Sequence, residues 1–286
     1  MSVAAQAARG TPIKGPSALG SDPRRLWQLS LLLAVTEFKL RFFGSVLGYL
    51  WQFMRPLLLF GVLYVVFSVF LDVDTDVPFY AVSLLLGIVL FNFFAEATAG
   101  SVRSLVEREN LVRKIEFPRL AVPISRVLTA LMNLALNLLP VLIFLLAAGG
   151  RPRWSWLELP FVLAFLAMFA LGIAMAVSAL FVRYRDVEPI WDVVTQVMFY
   201  GSPILYTLPI VADKAGEQIA HLLAVNPFTA ALQQARYALF GPGHESAAEA
   251  IGGDVRLLVP VTITLLTFAV GFLVFDRRAA RIAEDL

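Results

Sequence analysis

The chain contains no cysteine, only two histidines and four lysines, and just 15% of its 286 residues are charged. Without cysteine there is no disulfide framework and no thiolate metal site, and no metal site of another kind is expected. The lysines stand at positions 14, 39, 114 and 214, and none follows a glycine. A phosphate-binding loop ends in Gly-Lys followed by Ser or Thr, so the chain is not expected to hydrolyse ATP, bind a cofactor of its own or act as an enzyme. No nucleic-acid partner is expected either.

What fills the space left by charge is apolar. Residues of the hydrophobic set make up 59% of the chain and mean hydropathy is +0.78, against roughly 45–50% apolar and about 25% charged in soluble domains. This composition reads as an integral membrane protein. Residues 1–23 are rich in Ala, Gly, Pro and Ser and lack a long apolar run, which predicts a flexible cytoplasmic tail rather than a cleaved secretion signal. Six charge-poor segments follow, at about 47–71, 77–99, 124–148, 159–182, 187–208 and 257–275. Each approaches the length of about 20 residues that a spanning helix needs. With both termini inside, 18 of the 23 basic residues fall on the cytoplasmic side and 5 outside, so the positive-inside rule sets the orientation.

Residues 24–46 carry a helical pattern in which Ser30, Ala34, Glu37, Arg41 and Ser45 share one side, with large apolar residues around them. Its charges make it a poor span and predict an amphipathic helix in the headgroup plane; a cytosolic extension of the first span has the same pattern. The cytoplasmic loop 101–123 is dense in charge, and Glu109 stands four residues before Arg113, which favours a short polar helix. Such a knob suits docking of a soluble partner. A second, shorter cytoplasmic turn at 183–188 contains Arg183, Arg185 and Asp186.

Beyond the fifth segment, Ser202-Pro203 and Asn226-Pro227 interrupt apolar sequence. In lipid every backbone polar group must be paired within the protein, so prolines midway through apolar runs predict segments that turn back: a re-entrant helical hairpin over 203–240 on the outer side. An amphipathic helix on the outer surface is the alternative. A seventh crossing over 218–235 would put Arg277, Arg278 and Arg281 outside and is disfavoured.

Together, FKLRFFGSVLGYLW (38–51) with Pro56, NLVRKIEFPRLAVP (110–123), VRYRD (182–186), SPILY (202–206) and Asn226-Pro227 resemble the membrane subunit of type-2 ABC exporters, in the branch that exports O-antigen, teichoic acid and other lipid-linked polysaccharides such as capsule or cell-wall galactan. The resemblance covers about residues 24–280. It implies an all-α fold with six transmembrane helices per protomer in a permease domain over 47–286, preceded by the interface helix. It further implies a homodimer in the bacterial plasma (inner) membrane, working with two ATPase subunits that hold ATP and Mg. By the same resemblance Glu37 and Arg41 belong to the interface helix. Glu107, Asn110, Arg113, Lys114, Glu116 and Pro118 fall on the first coupling helix, and Arg183, Arg185 and Asp186 on the second cytoplasmic turn. Ser202, Pro203, Asn226, Pro227 and Arg236 would close the outer mouth.

A sugar polymer offers apolar ring faces, on which aromatic side chains can stack. Phe91, Phe93, Phe94, Trp191, Phe199, Tyr200 and Tyr206 are the candidates for lining its path, while Trp154 and Trp156 read as interface anchors. Glu96 and Asp192 lie near span ends, where Arg103 or Arg185 are candidate partners, and Asn133 and Asn137 are candidate bridges between helices. A secondary transporter would want a central acid, and none is present. A membrane glycosyltransferase would draw on Asp72, Asp74 and Asp76, but their loop is about eight residues long and reads as an acidic turn. An ABC exporter of drugs or lipids would share the fold.

Overall fold

The computed structural model describes residues 22–42, 48–70, 77–112 and 117–279, and all their regular structure is helical. We number the helices α1 (Pro23–Phe42), α2 (Gly48–Tyr64), α3 (Tyr80–Val102), α4 (Ser104–Glu107), α5 (Glu109–Val112), α6 (Ala121–Ala147) and α7 (Leu159–Phe181). They continue with α8 (Val187–Gly201), α9 (Leu208–Ala215), α10 (Glu217–Ala224), α11 (Pro227–Phe240), α12 (Ala247–Ile251) and α13 (Leu258–Ala279).

Among the described residues, five helices are long and apolar enough to cross a membrane: Leu50–Phe67, Tyr80–Val102, Ala121–Ala147, Trp154–Phe181 and Asp254–Ala279. The remaining expected span, 187–208, is different. Its helix α8 ends after 15 residues, about 22 Å at 1.5 Å per residue, short of the roughly 30 Å hydrocarbon core. Gly201 is the last helical residue, and Ser202 is already extended, with φ −94° and ψ 147°.

Helix α3 is the post around which the others stand. Its apolar window is 78% buried, whereas that of the first span is only 6% buried. α3 packs on α6, α7 and α8 and touches α2 and α11. At its outer end Tyr80 donates to the Leu205 carbonyl at 3.0 Å, and Phe79, at φ 57°, stacks on Phe240 with centroids 6.1 Å apart. α13 closes the far side against α7, where Gly172 and Gly271 meet backbone to backbone. A Cβ on Gly172 would stand 2.7 Å from the Phe268 Cα, and one on Gly271 would fall on the Gly172 carbonyl oxygen.

Inside α2 and α6 stand Pro56 and Pro140. Each removes one backbone donor, so Gln52 and Leu136 lose the partner that an uninterrupted helix gives their carbonyls.

The stretch expected to form an amphipathic helix is helical as α1 over its described part, and its small and polar side is turned toward α6. Ser30 and Ala34 are fully buried and face α6, whose Thr129 hydroxyl lies 3.4 Å from the Ala34 carbonyl. Trp27, Leu32 and Leu40 are exposed. The small and polar stripe is the packing face because only small side chains let two helices approach closely in lipid, and the large apolar side chains are left for the acyl chains.

Substituting Gly271→Leu is expected to separate α7 from α13 and cost about 1–3 kcal/mol, measured as lost unfolding free energy in detergent. Gly61→Ala, with open space around the added methyl, is expected to leave stability unchanged within error.

Candidate functional site

Two short helices, α4 and α5, follow directly on α3 and carry Glu107 and Glu109, with Arg108 between them. The Glu37 carboxylate on α1 reaches into this segment. One oxygen accepts from Arg108 Nη2 at 2.5 Å, and the other pairs with Arg126 Nη1. Arg126 in turn uses its second nitrogen on Glu107, and Arg108 donates to the Ser125 hydroxyl at 3.1 Å. Glu37, Arg108 and Arg126 keep only 19%, 15% and 18% of their side-chain surface exposed. Screening by water is therefore weak, and burial holds Arg108 below the usual arginine range although Glu37 opposes it. α1, α4, α5 and the start of α6 are thus joined through a single carboxylate.

Higher up, Arg41 pairs with Glu96 on α3, and Asn133 on α6 donates to the same Glu96 oxygen at 2.7 Å. The expected partner of Glu96 was Arg103 or Arg185; α1 brings Arg41 closer. Arg103 instead donates to Glu188 on α8 at 2.7 Å, which raises its pKa. This contact joins the turn after α3 to the turn before α8 around a cleft of about 400 Å³ lined by Arg103, Val106, Glu107, Phe181, Arg185 and Glu188. Arg185 sits over the Phe181 ring, 4.8 Å from its centroid. Arg183, Arg185 and Asp186 are exposed beside the cleft, as is Asn110 on α5. Pro118 is buried at the approach to α6. Arg113, Lys114 and Glu116 lie outside the described residues.

Of the aromatic candidates, Phe91, Phe93 and Phe94 are buried in the main core. Phe91 meets Phe199 edge-on at 5.0 Å and Phe228 at 5.3 Å, while Phe94 stacks on Phe169 at 5.6 Å. Trp191 is half-buried and donates to the Thr98 hydroxyl at 3.1 Å. Tyr200 is exposed, and its carbonyl accepts from the Tyr206 hydroxyl at 3.2 Å.

At the opposite end of the helices, Arg236 is buried to 3% exposure and donates to Gln233 Oε1 at 3.0 Å and to the Ile204 carbonyl at 3.3 Å. It thereby ties α11 to the buried turn of Ser202 and Pro203. Asn226 caps α11, its side chain accepting from the Phe228 amide at 3.0 Å, with Pro227 in the first turn. Arg108 and Arg126 were not singled out by the sequence, although Arg126, a cation six residues into an otherwise apolar helix, was the available signal.

Residues 28–240 match the family described as ABC-2 type transporter. The chain is 28% identical over 262 residues to the O-antigen export system permease protein RfbA of Klebsiella pneumoniae, covering 91% of this chain and 96% of that one. It is also 28% identical over 266 residues to the protein of that name from Myxococcus xanthus, covering 92% and 98%.

Neutralising the shared carboxylate with Glu37→Gln leaves two half-buried guanidinium groups facing each other and is expected to cost about 3 kcal/mol. In chemical denaturation, Glu37→Gln combined with Arg126→Gln is expected to lose less than the two single losses added together. Strict additivity would mean that the pair is not coupled.

Proposed function

Because the chain belongs to the ABC-2 type transporter family, we propose that it is the permease subunit of an ATP-driven exporter that moves a lipid-linked polysaccharide outward. The observation that carries this reading is the likeness to permeases named for O-antigen export, which runs across more than nine-tenths of each chain. The five apolar helices supply the membrane setting. ATP hydrolysis belongs to a separate ATPase pair docked on the cytoplasmic loops, and the charged surface around the 400 Å³ cleft favours such docking.

The active unit is a homodimer. Helix α8 supports this, since it buries no residue within its own protomer and exposes Ile190, Val193 and Val197, a face that a second copy would cover. In this reading α8 and the turn after it make the sixth span, α1 lies in the headgroup plane, and α9 to α11 form the outer re-entrant segment held by Arg236. Both termini face the cytoplasm of the plasma membrane, in keeping with the 18 to 5 division of basic residues.

ATP binding draws the two ATPases together, and α4 and α5 receive the push. The Glu37 clamp then makes α1 and the base of α6 move with them, so that a local contact becomes a displacement of whole helices. Only contacts that differ between the two states can drive such a change. That requirement places the work at the coupling loop and at the Arg103–Glu188 junction.

Depleting the protein in its host is expected to leave a completed glycan on its lipid inside the cell, with the same polymer lost from the surface, as read by mass spectrometry of lipid-linked saccharides. A glycan that stops short of full length would turn the reading toward synthesis. Charge reversal of Arg113 and Lys114, or of Arg185 and Asp186, is expected to stop export while the dimer still assembles. Unchanged export in both variants would overturn the coupling role.

A further inference from the structure

Between α1, α2, α3 and α6 lies a cavity of about 610 Å³, within the usual size range of small-molecule sites. Its polar lining consists of Arg41, Gln52, Arg55, Asn92, Glu96 and Asn137, with the Trp51 indole beside them. Three observations bear on what it holds.

The first is charge. Glu96 is taken by Arg41 and Asn133, so that pair is neutral. Arg55 makes no ion pair or hydrogen bond among the described residues and leaves the cavity with a net positive charge. Arg55 is exposed and stands five residues into the apolar window that begins at Leu50, close enough to its cytoplasmic end to meet a charged headgroup-level ligand.

The second is an orphan. Asn137 is buried to 8% exposure, lines the cavity, and its side-chain oxygen has no partner. Buried amides are almost always hydrogen-bonded, so this wall of the cavity is incompletely satisfied. Gln52 and Asn92 add two further neutral amides to the lining that Arg55 shares.

The third is access. α2 is scarcely buried along its apolar window, so the wall of the cavity is a helix that faces lipid. An ammonium ligand would be repelled by Arg55, and a neutral sugar would leave the guanidinium unpaired. A phosphate ester supplies the charge and several acceptor oxygens in the geometry that arginine binds as a fork.

We infer that this cavity binds the phosphate or diphosphate ester that joins the glycan to its lipid, with Arg55 as the principal contact and Asn137 as a supporting donor. The inference rests on the export reading above. Because Arg41 belongs both to this lining and to α1, an anion that draws Arg41 away from Glu96 would be felt by the helix that Glu37 ties to the coupling loop.

The test is equilibrium binding of farnesyl diphosphate to the purified full-length protein, with farnesol, inorganic diphosphate and phosphatidylglycerol as comparators. Farnesyl diphosphate is expected to bind, Arg55→Gln and Asn137→Leu each to weaken it about tenfold, and Arg55→Lys, which keeps the charge but not the fork, to fall between wild type and Arg55→Gln. Unchanged affinity in Arg55→Gln overturns the site. Equal binding of farnesol overturns phosphate recognition, equal binding of inorganic diphosphate points to a free anion, and equal competition by phosphatidylglycerol points to bulk lipid; each of the three defeats the inference. Export measured alongside separates the two readings. If depletion stops export but Arg55→Gln exports normally, the cavity assignment fails and the export reading stands. If depletion alters no glycan while Arg55-dependent binding persists, the export reading fails and the phosphate site stands.

Discussion

One carboxylate joins three separate segments of the chain. Glu37 faces two guanidinium groups, one from the loop after α3 and one from α6. Two like charges so close together are stable only with an anion between them, and an anion out of water is stable only with cations around it. Each group is therefore the condition for the others, and α1 lies against α6 instead of floating at the lipid surface. The buried Ser30 and Ala34 make the close approach possible; the charges fix its register.

A second arginine ties the other end of the helices. Arg236 is turned inward, where it donates to a backbone carbonyl and to the Gln233 amide oxygen. This suits a place where the chain leaves helical geometry at Ser202 and needs its carbonyls satisfied. The two ends of the molecule are thus closed by arginines that link distant segments, Arg126 to Glu37 across 89 residues and Arg236 to Ile204 across 32.

Much of this was legible beforehand. Charge-poor runs located all five long helices to within a few residues at each end, because a lipid environment leaves a compositional mark that packing does not erase. Glu37 and Arg41 were recognised as special on α1, yet their partners were not, since the choice of Arg108, Arg126 and Glu96 depends on how α1 is rotated against α6. Phe91 and Phe94 illustrate the converse. Their aromatic character was plain, but whether a ring faces a conduit or a core is decided by the neighbours on α7 and α11. The shortness of α8 was hidden because apolar sequence continues past Gly201 through a turn.

The contrast between α2 and α3 has a bearing on biogenesis. A helix that gains almost nothing from its neighbours must be stable in the bilayer by itself, and α2 enters first. α3 carries Glu96 and Thr98, whose partners Arg41 on α1, Asn133 on α6 and Trp191 on α8 include two on helices that are synthesised later. The inserting chain must therefore hold a polar, incompletely satisfied α3 in or near the translocation machinery until α6 arrives, and the membrane-integrated state of its first half is provisional.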